Sequence, residues 1–162
     1  MQHISVEDVS RIALLFLNGD DFEQVLIDRI GHTDYDFDRF NRLRAVLFKV
    51  EKIAPELKLS AILWSPYPTN NRVGTALVAG GSLPVEGCKR QKLNPDIRRC
   101  LLEESAVQKA RPGGLWSLYS PVRNSRDDVV GVLELLVGLG EGEKIDVSCM
   151  DMFVAPREEE EE

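Results

Sequence analysis

Histidine and cysteine are scarce in this sequence. The two histidines, His3 and His32, both lie in the first 32 of 162 residues, and the three cysteines, Cys88, Cys100 and Cys149, stand far apart with no CxxC pair. That argues against a zinc site and against a disulfide framework, and free cysteine is most often a small core hydrophobe. No apolar run reaches the roughly 18 to 20 residues needed to cross a bilayer. The start, MQHISVEDVSR, lacks the basic residues and apolar stretch of a signal peptide, so membrane insertion is not expected and a cytoplasmic location is. GxGxxG, P-loop, GxSxG and HExxH motifs are all missing, and no catalytic constellation replaces them.

Positive charge is also in short supply. The net charge is −7, and removal of the terminal REEEEE alone brings it to −3. Arginines and lysines are scattered among carboxylates, so no basic face exists to neutralise phosphates and nucleic acid is not an expected partner. What is present, 43% hydrophobic and 29% charged residues, is the balance of a soluble globular domain with one core.

Periodicity divides the chain. Ser5 with Asp8 forms a capping-box start, and Val6, Val9, Ile12, Ala13 and Phe16 follow at helical spacing until Asn18 and Gly19. Asp20 or Asp21 can cap a second helix carrying Phe22, Val25, Leu26 and Ile30, closed by Gly31. A longer helix starts near Asp36, carries Phe37, Phe40, Leu43, Leu47, Val50 and Ile53 on one face, and ends at Pro55.

From residue 58 the period shortens. LKLSAILWS and RVGTALVAGG read as two strands about a SPYPTNN turn. SLPVEGCKRQKL is irregular and forms a candidate functional loop. Asn94 followed by Pro95 starts the short helix PDIRRCLLEES. A brief strand AVQKA follows, then the RPGG reversal and the hairpin SLYSPVRNSRDDVVGVLELL. IDVSCMDMFV is ambiguous, and the acidic end is either a solvated tail or the first turn of a linker helix.

The expectation is therefore an α+β domain with a five- to six-stranded antiparallel sheet. N-terminal helices would lie on one face, and the 82–104 loop and short helix would cover the other. Its divisions are a helical extension over 1–35, the domain proper over 36–155, and the tail over 156–162.

LSAILWSP, LVAGGSLP and above all LWSLYSPVRNSRDDVVGVLELL resemble the GAF sensor domains, relatives of the PAS domains, over residues 37 to 137. The resemblance implies a non-catalytic regulatory module of a larger bacterial signalling protein, such as a diguanylate cyclase or histidine kinase. It further implies a small-molecule effector held between the sheet and its loop-and-helix cover, and a homodimer formed through terminal helices. The effector is not named by the sequence, and no cofactor follows from it. Trp64, Arg98, Trp116, Tyr119 and Arg123 combine contact area with a polar group on the elements that would enclose such a pocket. Alternation puts Trp116 and Tyr119 on opposite sheet faces unless a bulge intervenes, and Gly131 in the closing strand marks a close approach. A ligand-free interaction module is the competing class. A third reading, a cysteine-based reductase of free methionine sulfoxide, would use Cys88 in its electropositive GCKR setting.

Overall fold

The computed structural model describes residues 4–29, 32–35, 37–67, 70–79 and 91–138. The loop containing Cys88, the glycines of AGGS after Ala79, the IDVSCMDMFV stretch and the acidic end fall outside these residues.

Helix α1 (Val6–Phe16) begins as its sequence dictates. Ser5 Oγ accepts from the Asp8 N–H at 3.1 Å, and the Asp8 carboxylate accepts from the Ser5 N–H at 3.4 Å. Val6, Val9 and Ala13 are buried, whereas Phe16, expected on the same stripe, is exposed together with its neighbour Leu15. The buried stripe is thus narrower than the apolar pattern.

Helix α2 (Gly19–Val25) stops earlier than its spacing suggests. Leu26–Arg29 forms β1 and pairs antiparallel with β2, His32–Tyr35, in the register Leu26↔Tyr35 and Arg29↔His32. Residues 26 to 29 were expected to continue the helix. Instead the β-branched Ile27 and Thr33 lie in strands whose connection spans only two positions, the length favoured by hairpins.

Helix α3 (Phe37–Ile53) buries Leu43, Leu47 and Val50 against the sheet, each contributing about 1.5 to 3 kcal/mol of apolar transfer. Ala54 and a short 3-10 turn at Pro55–Leu57 end it. Asp21 on α2 holds the two arginines of this helix that face it, Arg42 through paired contacts of 2.9 and 3.0 Å and Arg39 at 3.5 Å.

The remaining elements are β3 (Leu59–Tyr67), β4 (Asn70–Ala79), β5 (Gln91–Lys92), α4 (Pro95–Glu103), β6 (Val107–Ala110), β7 (Trp116–Arg123) and β8 (Val129–Val137). The sheet order is β5-β4-β3-β8-β7-β6, with antiparallel pairing throughout. Four strands of eight to ten residues form its body, and β5 and β6, of two and four residues, are short edges.

Each face carries its own core. One packs α1, α2 and α3 against Leu59, Ala61, Leu63, Leu118, Val122, Leu133 and Leu135. The other packs Ile97 and Cys100 of α4 against Ile62, Trp64, Val107, Tyr119 and Val132. The central strand β8 is buried on both faces from Gly131 to Val137, which explains its nearly unbroken apolar sequence. A Cβ at Gly131 would lie 2.3 Å from the Phe22 ring and 2.7 Å from the Trp64 carbonyl, so the close approach read from the sequence is physical.

Candidate functional site

The α4 face of the sheet is where polar chemistry converges. Register sets Ile62 of β3, Glu134 of β8 and Tyr119 of β7 in one row across three strands. Glu134 is the single charge in VVGVLELLV and is fully buried. A lone carboxylate there would cost several kcal/mol in desolvation, and three donors answer it. Trp64 Nε1 donates to one oxygen at 2.8 Å, and the Ser117 hydroxyl and Arg111 guanidinium donate to the other at 2.6 and 2.9 Å.

Arg111 reaches this carboxylate from the end of β6. Its side chain is 8% exposed, its Nε donates to Ser117 Oγ at 2.8 Å, and a terminal nitrogen also donates to the Tyr119 hydroxyl. Burial works against its charge, yet the adjacent Glu134 and Tyr119 outweigh that and hold its pKa above the ordinary guanidinium value. The chain reverses immediately after it through Gly113 and Gly114, both at positive φ, a backbone path that suits glycine alone.

Tyr119 links the ion pair to the helix above. Its ring is fully buried, with the Arg111 guanidinium 5.9 Å from the ring centre. Burial, reinforced by Glu134, raises the phenol above its ordinary pKa, so it is a neutral hydroxyl at any physiological pH. Asn94 Nδ2 donates to it at 3.3 Å, while Asn94 Oδ1 caps α4 by accepting from the Ile97 N–H at 2.8 Å. One side chain therefore starts the helix and ties it to the network on the sheet. Ser60 shares this face with Ile62 and Trp64 by alternation, and its buried hydroxyl has no partner among the described residues.

The structure brings Trp64 and Tyr119 together in this cluster. Arg98 stands half-buried on α4, and its guanidinium makes no ion pair among the described residues. Trp116 lies on the opposite face against the α1–α3 core. The β7 register shift, between Val122 and Arg123, comes too late in the strand to turn Trp116 towards Tyr119. Arg123 sits at the end of β7, where it bonds Glu104 Oε1 at 3.0 Å and the Asp127 carbonyl at 2.9 Å. That ties the end of α4 to the β7–β8 turn. Sequence reasoning missed Arg111 and Glu134, although a single carboxylate inside an apolar strand was a signal for a buried partner of opposite sign.

Among the described residues there is no group of three or more potential metal ligands, and no helix is long and apolar enough to cross a membrane. Cys100 is fully buried, and desolvation pushes its thiol up to about 12. It holds a proton where a nucleophile would need to lose one.

The topology defines the chain as an α+β domain with a two-faced antiparallel sheet. No family model matches it, and no curated protein does. Nine chains of solved structures are similar. One is the crystal structure of the A. aeolicus nlh2 GAF domain in an inactive state, with 12% identity over 88% of each chain and a TM-score of 0.45.

Proposed function

We infer that this chain is a non-catalytic regulatory domain that senses a small molecule on the α4 face of its sheet. The observation that carries this reading is the Asn94–Tyr119–Arg111–Glu134 connection. It makes the seating of α4 depend on a buried, hydrogen-bonded charge pair. An effector that offers Tyr119 or Arg111 a better partner would release the Asn94 tie and shift α4. Arg98, half-buried on that helix, would meet it. A coupling of this sort needs only a few kcal/mol of differential affinity to move a two-state equilibrium.

The regulated output would belong to a larger signalling protein, and the domain would pair with a second copy through its terminal helices. Leu15 and Phe16 at the end of α1, 83% and 71% exposed, are the apolar side chains that such pairing would cover. A thermal-shift screen against nucleotides, amino acids and tetrapyrroles tests the sensing claim. A compound held at 100 times its Kd should stabilise the chain by about 2.7 kcal/mol, and Arg98→Ala should reduce that effect. A stabilising compound whose effect ignores Arg98, Asn94 and Tyr119 alike would reject the α4 face as its site. Light scattering tests pairing: Phe16→Glu should shift the chain towards monomer, and a wild type that stays monomeric at high concentration would reject it.

A ligand-free interaction module is favoured by one specific observation: every polar group in the Glu134 network already has a partner. The screen separates the two readings, because an interaction module is stabilised by a protein and by none of these compounds. A thiol reductase would have to rest on Cys88, and sulfoxide reduction lost in Cys88→Ser would establish it.

A further inference from the structure

A groove of about 490 Å3 opens at the β7 edge of the sheet, between α1 and the segment that leaves α4 at Glu104, with Arg123 at its rim, within the size range of small-molecule sites. It exists because β6 is short. That strand pairs only with Trp116–Tyr119, so β7 lacks a β6 partner from Ser120 onward. Pro121 in the uncovered stretch has no N–H to offer, which makes this edge a poor template for an added strand. One wall is the face of α1 that carries Glu7, Ser10, Arg11 and Leu14, residues at i, i+3, i+4 and i+7 that span about 10 Å.

The lining combines three kinds of chemistry. Leu14, Leu118 and Pro121 supply apolar surface. At the base, the Ser10 and Ser120 hydroxyls lie 2.7 Å apart, both 4% exposed. One proton of that pair bridges the two oxygens, and the other has no acceptor among the described residues. Buried donors in this position are costly to leave unanswered. Charges of both signs complete the site. Among the described residues Arg11 makes one contact, to Asp8 at 3.3 Å, which leaves most of its five N–H donors unused there. Among the described residues Glu7 accepts from Gln108 and Glu104 from Arg123 through a single oxygen each, so each has a second oxygen for a ligand cation.

We propose that this groove binds a small zwitterion with an apolar side chain, of the free α-amino acid class. The carboxylate meets Arg11 and the serine pair, the ammonium meets Glu104 or Glu7, and the side chain lies on Leu14, Leu118 and Pro121. The site is distinct from the effector site inferred on the α4 face, although Glu104 at the end of α4 borders it.

Isothermal titration of the whole chain with L-leucine, N-acetyl-L-leucine and L-leucinamide tests it. Leucine should bind, and each capped analogue, lacking one charge, should bind at least tenfold more weakly. Arg11→Gln, a change at a 78% exposed side chain, should weaken leucine at least tenfold while leaving leucinamide unchanged. Arg98→Ala, on the opposite face, should leave leucine binding intact. No leucine binding at millimolar concentration, equal affinity for the capped forms, or indifference to Arg11→Gln would each overturn the proposal. Loss of binding in Arg98→Ala would place leucine under α4 instead, ending this inference while supporting the other site.

Discussion

Removal of the Arg111 guanidinium should be the most damaging single polar change in this domain. Glu134 lies in the central strand with no exposure, whereas Arg111 lies beside a glycine turn at the sheet edge with 8% of its side chain exposed. Arg111→Met leaves the carboxylate with only the Trp64 and Ser117 donors and no route to water. Breaking a buried pair from this side costs about 3 to 5 kcal/mol, a large part of the 5 to 15 kcal/mol typical of a domain. Glu134→Gln is milder, about 1 to 3 kcal/mol. The freed guanidinium keeps Ser117 and Tyr119 as acceptors and can turn outward next to Gly113. The double variant Arg111→Met with Glu134→Leu should be more stable than Arg111→Met alone, because no buried charge remains. Urea unfolding followed by tryptophan fluorescence measures all three. A cost below about 1 kcal/mol for Arg111→Met, or a double variant no more stable than Arg111→Met alone, would refute the coupling.

Four further outcomes are expected. Gly131→Ala should cost about 3 kcal/mol or more, as a Cβ there overlaps both the Phe22 ring and the Trp64 carbonyl; Phe22→Leu in the same chain should recover only part of the unfolding free energy, since the carbonyl contact remains. Tyr119 has a folded pKa above its unfolded value near 10, so its contribution is complete below pH 10 and lost as pH rises towards the folded value; absorbance at 295 nm should show a tyrosine step above the ordinary phenol range, and Tyr119→Phe should remove that late step. Asp21, held below its ordinary pKa chiefly by the hydrogen bonds from Arg42, supports stability above about pH 4 and loses it as pH falls through the folded value; Asp21→Asn should cost no more than about 1 kcal/mol at neutral pH and flatten acid unfolding. Cys100 in a Cys88→Ser, Cys149→Ser background should not react with a disulfide reagent at pH 8 until the chain unfolds.

Much of the framework is legible in the sequence because local rules govern it. Ser5 with Asp8, Asn94 with Pro95, and the Gly113–Gly114 reversal each specify a terminus or turn through a few neighbouring atoms. The two-residue link between Leu26–Arg29 and His32–Tyr35 was not legible, since Val25, Leu26 and Ile30 also satisfy a helical period. Cross-strand register decided the site. Glu134 meets Tyr119 directly in register, Ser117 two residues back along β7, Trp64 two residues on along β3, and Arg111 from the end of β6. No spacing along the chain reports such a meeting. Trp64 and Tyr119 were singled out by residue type and by the strands that carry them, and alternation separated Trp116 from Tyr119. Arg123 has the charge of a ligand contact but is held by Glu104 and Asp127.

The central claim is that an effector acts through α4 and its Asn94 tie to Tyr119. Hydrogen exchange read with and without any compound that raises the melting temperature tests it most directly. The account predicts that the compound changes protection across α4 and in β7 around Tyr119, and that Tyr119→Phe, which removes the acceptor of the Asn94 bond, diminishes the change. Protection that changes only in α1, or a footprint in α4 that Tyr119→Phe leaves untouched, would contradict it.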